Sequence, residues 1–198
     1  GLVLAFTFNA YERALFLSKK ASVVKESNIL TFRMQTFIVC ILIFYEGLTC
    51  IALAKKTDEP KKYREYCQVA KKNISKMKRL AKQVPANCLH KYLLLKAEFD
   101  ILKGRYAIGK KNYQKAIEFA KKEGFLHEHA LACERAGLAF YSCNGAKEDP
   151  SLDTADLPGS KFLSEACILY KEWGAHAKVK QMQDLYPFLI CQTPCASH

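Results

Sequence analysis

The chain has 198 residues, half of them hydrophobic and a quarter charged, which excludes a disordered chain and allows one domain with a sizeable core. Lys and Arg outnumber Asp and Glu by 31 to 19, for a formal net charge of +12, so the partners to weigh are nucleic acid, anionic lipid and acidic protein surfaces. Of nine cysteines, Cys40, Cys50, Cys67, Cys88, Cys133, Cys143 and Cys167 lie in apolar-periodic segments, none makes a Cys-x-x-Cys, and only Cys191 and Cys195 are close in sequence; this argues against a disulfide framework or a zinc site and for a reduced, cytoplasmic compartment.

The chain opens Gly-Leu-Val inside an amphipathic pattern, with Glu12 and Arg13 interrupting any apolar leader. No signal peptide is expected. Residues 1–28 read as a partial N-terminal repeat resembling the second helix of a hairpin, with Tyr11-x-x-Ala14 at its contact face, and a larger parent chain is expected. Next comes TFIVCILIFYEGLTCIALA, residues 36–54, whose single formal charge is Glu46. A membrane helix needs about 20 apolar residues. Because Glu46-Gly47 stands at the centre of the run, the segment is expected to be the buried first helix of a hairpin over 29–85, with Glu46 near a helix edge or paired to a Lys or Arg.

The second helix of that hairpin carries Tyr63, Cys67, Ala70, Ile74, Met77 and Ala81 at alternating spacings of four and three, one stripe of a helix. Pro60 suits its first turn and Pro85 the break after it. From Lys55 to Lys82 there are eleven Lys or Arg against three acidic residues. The basic patch expected to meet a partner is Lys61, Lys62, Arg64, Lys71, Lys72, Lys76, Lys78, Arg79 and Lys82. No aromatic stacking platform is interleaved, which favours a solvated or protein-binding face over a nucleic-acid one.

Helices follow over about 89–103, 106–123, 125–143, 160–173 and 175–185, punctuated by Gly104, Gly124, Gly145 and Gly174 as helix-end residues. No segment alternates with period two between turn signals, so the fold class is all-α. Ala97, Gly104, Tyr106, Gly109, Tyr113 and Ala116 then fall in the tetratricopeptide pattern, in which small residues let paired helices approach and aromatics fill the wedge between hairpins. Gly47 and Gly137 take the place of Ala97 in neighbouring hairpins, and Leu163-x-x-Ala166 echoes Tyr113-x-x-Ala116. The organisation expected is therefore a repeat over 86–124, a final repeat over 125–190 with a capping helix, and a tail at 191–198, stacked as an α-solenoid. Between 146 and 159, AKEDPSLDTADLPG interrupts the last hairpin with an acidic, proline-containing loop.

Three stretches resemble one particular helical region: PANCLHKYLLLKAEFDILKG (85–104), YQKAIEFAKKEGFLHEHALACERAGLAFY (113–141) and LYKEWGAHAKVKQMQDLYPFL (169–189). They are similar to the array between the AAA-type ATPase module and the GAF and histidine kinase modules of very large signalling proteins that often begin with a serine/threonine kinase domain. The residues carrying the likeness are Asn87, His90 and Lys91; Glu128, Ala130, Leu131, Ala132 and Glu134; and Trp173, Gly174, Ala175, Ala177 and Lys178, with FYEGL at 44–48 fitting the preceding helix. His129 and the acidic loop depart from the pattern. The resemblance implies a protein-binding helical scaffold whose partners are kinase or ATPase modules of the same chain or a separate protein. Nucleic acid at 55–82 is the competing partner.

No catalytic or nucleotide-binding motif is complete. GRYAIGKK (104–111) approaches a phosphate-binding loop, but Lys111 stands where a hydroxyl should hold magnesium and a helix precedes it where a strand is needed. His127 and His129 are two apart and point in different directions on a helix, so they cannot chelate one ion together, and Leu131 breaks a His-Glu-x-x-His pattern. A capping or hydrogen-bonding role suits them better. His90 reads as a core histidine and Trp173 as a core anchor across the turn to the last helix. The expectation is no catalytic residue, no cofactor, no metal and no membrane span.

Overall fold

A computed structural model describes residues 1–24, 32–142 and 159–190. Every regular element among them is helical: α1 (Leu2–Thr7), α2 (Tyr11–Val24), α3 (Phe32–Lys56), α4 (Pro60–Gln83), α5 (Pro85–Leu102), α6 (Tyr106–Lys122), α7 (Leu126–Ser142), α8 (Ser160–Glu172), α9 (His176–Leu185) and a 3-10 turn at Pro187–Leu189. The fold class is all-α. The chain forms two compact units, Gly1–Ala116 and Ile117–His198, with the boundary inside α6. The acidic loop, except Gly159, and the 191–198 tail lie outside the described residues, as do Cys143, Gly145, Cys191 and Cys195.

Helix ends are set by local chemistry. After α5, Gly104 takes φ 71°; its N–H reaches the Ile101 carbonyl at 2.9 Å and the Arg105 N–H reaches the Asp100 carbonyl at 2.8 Å. That is a Schellman ending, which needs the left-handed conformation glycine adopts without a Cβ penalty. Gly124 and Gly174 end α6 and α8 in the same way. The N-terminal segment differs from the single helix expected. Asn9 at φ 61° breaks it into α1 and α2, with its side-chain oxygen accepting from the Tyr11 hydroxyl at 2.6 Å; asparagine is among the few residues besides glycine that tolerate this conformation.

In the first unit α3 is the central helix, packed by α4, α2, α5 and α1. Its 37–56 portion is long and apolar enough to cross a membrane, and 61% of it is buried within the protein. Phe44, Leu48, Cys50 and Ile51 are essentially inaccessible, as expected for a helix sandwiched between others rather than one with a single apolar stripe. Close approach comes from Gly47, where a Cβ would sit 2.8 Å from Leu95 Cδ2 and 3.4 Å from Asn73 Cβ. Gly109 does the same for α6 against α5, 2.7 Å from Ile101 Cδ1. Ala97, Tyr113 and Ala116 are fully buried. Tyr106 is not a wedge filler: it is the first residue of α6 and 51% exposed.

In the second unit α7 and α8 form an antiparallel pair whose core gathers Ala130, Cys133, Leu163, Ala166, Cys167, Tyr170, Met182 and Leu189. Gly137 permits the contact, since a Cβ there would lie 2.7 Å from Leu163 Cγ and 3.1 Å from the Gly159 carbonyl. Gly159 meets the backbone of Gly137 and Tyr141 in return. Trp173 is not a core anchor. It is 47% exposed and stacks on His127 with centroids 5.3 Å apart and planes at 24°, because the Schellman ending at Gly174 carries it to the rim of the α8–α9 turn.

Candidate functional site

The basic patch lies on α4. Its apolar stripe turns Cys67, Ala70, Met77 and Ala81 inward, which leaves the charged residues on the remaining faces. Lys61, Lys62, Arg64, Lys71, Lys72, Lys78, Arg79 and Lys82 are exposed and Lys76 is half-buried. Among the described residues only Lys62 of these nine has an acidic partner, Glu59 at 2.6 Å, and hydrogen bonding to that carboxylate holds its pKa above the ordinary lysine value. The positive charge of α4 is therefore presented to solvent.

Lys76 and Arg79 also border a cleft of about 410 Å³ between α2, α3 and α4, with Val39, Leu42 and Ile43 supplying apolar wall and Glu46 inside it. Among the described residues Glu46 does not pair with a Lys or Arg; its Oε2 accepts from the Asn73 amide at 2.8 Å. The reason is rotational. Asn73 lies on the buried side of α4, against Gly47, whereas Lys76 and Arg79 line the cleft from the more exposed side of that helix. The cleft thus joins an apolar wall to a cationic rim, a combination suited to an amphipathic segment with acidic residues. Tyr63 is already engaged on one side, because Lys103 Nζ donates to its hydroxyl at 2.9 Å and lies 4.7 Å over its ring.

Two buried carboxylates, not singled out from the sequence as partners, tie the helices together. Glu98 on α5 accepts from the Tyr113 hydroxyl at 2.7 Å and pairs with Lys55 at 2.7 Å. Glu134 on α7 accepts from the Tyr170 hydroxyl at 2.8 Å and pairs with Lys178 at 2.6 Å. In each case a carboxylate, a tyrosine and a lysine come from three different helices. Asp100 adds a polar clamp at the α5–α6 turn, held by Arg105 at 2.6 Å and by Asn112 at 2.8 Å. His90 is buried, as a core histidine should be, with Lys91 Nζ 3.0 Å from its Nε2.

The six cysteines among the described residues are free, and two of them meet. Cys40 Sγ and Cys88 Sγ are 3.4 Å apart, with either able to donate. Hydrogen bonding from Cys88 brings the Cys40 thiol down to about 7, and the same contact together with burial pushes Cys88 up.

The two histidines at the start of α7 do diverge. His127 Nε2 is 2.9 Å from the Glu128 carboxylate, and its ring lies on Trp173. His129 turns inward, where the i+4 residue on its own helix is Cys133 and the facing residue of α8 is Glu165. Donor atoms of these three all lie within 4.8 Å of one another. Burial holds the His129 imidazole below its usual pKa, while burial and then the Glu165 carboxylate push the Cys133 thiol up. The signal in the sequence is His-x-x-x-Cys, but a cysteine in an apolar-periodic helix reads equally as a small hydrophobe.

No family model, no curated protein and no solved structure matches the chain.

Proposed function

We propose that the chain is a non-catalytic helical-repeat scaffold of the tetratricopeptide-like kind, its hairpins stacked as an α-solenoid, that binds an acidic segment of a partner protein. In this reading it serves a cytoplasmic signalling protein bearing kinase or ATPase modules, and the partner is one of those modules or a separate protein. The observation that carries the binding role is the cationic face of α4 bordering an apolar-walled cleft. Small residues at the helix contacts, Gly47, Gly109 and Gly137, support the repeat reading, because close approach of paired helices is what a hairpin array requires. The likeness at Asn87-x-x-His90-Lys91, Glu134 and Lys178 supports the signalling context, and two of those residues form a buried ion pair.

A second reading, nucleic-acid binding by α4, is favoured by the same charge. Fluorescence anisotropy of the full chain separates the two, using a labelled amphipathic peptide with acidic residues at helical spacing and labelled single-stranded and duplex oligonucleotides across a salt series. The scaffold reading expects saturable peptide binding that Lys76→Glu/Arg79→Glu abolishes. Oligonucleotide binding that is tighter than peptide binding and falls linearly with log salt would instead establish the second reading and overturn the first.

A further inference from the structure

We propose that His129, Cys133 and Glu165 form a binding site for a divalent transition-metal ion of the zinc class, with a fourth position open to water. His129 and Cys133 are one helical turn apart on α7, so their side chains project from the same face. Glu165 comes from α8, which the Gly137–Leu163 contact holds close to α7. An ion about 2.0–2.3 Å from each donor in tetrahedral geometry sets donor atoms about 3.5 Å apart. His129 Nε2 and Glu165 Oε1 already stand at 3.3 Å, and no pair among the three donors exceeds 4.8 Å.

The second observation is the imidazole itself. His129 is 5% exposed, and its Nε2 makes no hydrogen bond despite the nearby carboxylate, since the geometry of that contact does not fit one. A buried ring nitrogen aimed at a thiol and a carboxylate without a hydrogen bond is what a ligand awaiting a cation looks like, because buried polar atoms otherwise find partners. Glu165 is 45% exposed at the side chain, which leaves it free to adjust its rotamer and leaves a path for the ion.

The donor set selects the metal class. A soft thiolate, an intermediate imidazole and one hard carboxylate together suit zinc, a borderline ion that accepts all three; magnesium and calcium take oxygen donors and are disfavoured by the sulfur. Three protein ligands leave the ion an open position. Lys121 and Glu172 lie close enough to act on His129 electrostatically in opposite senses.

The test uses the full reduced chain stripped with chelator and titrated with cobalt(II), whose thiolate-to-metal charge-transfer band in the near ultraviolet reports sulfur ligation. One ion per chain is expected, with visible absorption of tetrahedral intensity, displaced by zinc(II). Cys133→Ser should abolish the charge-transfer band, and His129→Ala and Glu165→Gln should each weaken binding by at least about tenfold. The half-exposed Glu165 keeps the test valid should a buried variant fail to fold, as circular dichroism would reveal. A Cys191→Ser/Cys195→Ser variant should retain the band. No band in the wild type, affinity unchanged in Glu165→Gln, or a band that survives Cys133→Ser overturns the assignment.

Discussion

Replacing Lys178 by methionine keeps the length of the side chain and deletes its ammonium group. In the native protein that group lies 2.6 Å from Glu134 Oε1, with side-chain exposures of 3% and 8%, and it also donates to Gln181 at 3.0 Å. At an effective dielectric near 20 the gross attraction at that separation is about 6 kcal/mol, most of it offset by desolvating both ions. The variant leaves Glu134 buried with the Tyr170 hydroxyl donating to its other oxygen, so the expected loss is about 3–5 kcal/mol. That is a large share of the roughly 5–15 kcal/mol of a typical domain. Adding Glu134→Gln removes the stranded charge while its amide oxygen still accepts from Tyr170, and the double variant should lie within about 1 kcal/mol of wild type. Urea unfolding followed by fluorescence measures this, because the single tryptophan, Trp173, belongs to the same unit. Lys62→Ala, at the exposed pair with Glu59, should show no measurable change. A Lys178→Met protein as stable as wild type, or a double variant no better than the single, would refute the buried pair.

Three further outcomes follow from other contacts. Gly104→Ala meets no atom within 4 Å but must hold φ 71°, so it should cost about 1–2 kcal/mol through the backbone alone, with Gly104→Asn recovering part of it; an alanine variant with unchanged urea midpoint would contradict the left-handed ending. Ala116→Trp, at a fully buried position, should destabilise by at least about 1–3 kcal/mol through overpacking, and thermal unfolding equal to wild type would show the repeat register to be wrong. Burial and then Glu46 push the Cys50 thiol from 9.0 up to about 12. A folded-state pKa above the unfolded one stabilises fully below pH 9 and loses that contribution as pH rises towards 12, by about 1.4 kcal/mol per pH unit. Cys50→Ala should therefore flatten the fall in urea midpoint between pH 9 and 11, and an unaltered slope would exclude the assignment.

Much of the local structure was legible in the residues. The alternation of four and three from Tyr63 to Ala81 specifies a helix and the face it buries, and glycines 104, 124 and 174 mark helix ends, because both effects act within a turn or two of chain. Pro85 was legible only as a break. In the structure it is also the first residue of α5, so that helix starts four residues earlier than the apolar pattern alone indicated.

What the sequence by itself determined is the class of the molecule, its helical inventory and the cationic face of α4, since periodicity and charge need no knowledge of neighbours. Tertiary structure decided who meets whom. Glu46 faces Asn73 rather than a lysine, Trp173 rides on His127 at the rim, Glu134 finds Lys178, and Glu165 reaches His129 and Cys133. Each of these pairings depends on how far a helix is rotated about its own axis against its neighbour. That rotation is set by contacts such as Gly137 on Leu163, between residues far apart in the chain, and no spacing within a single helix records it.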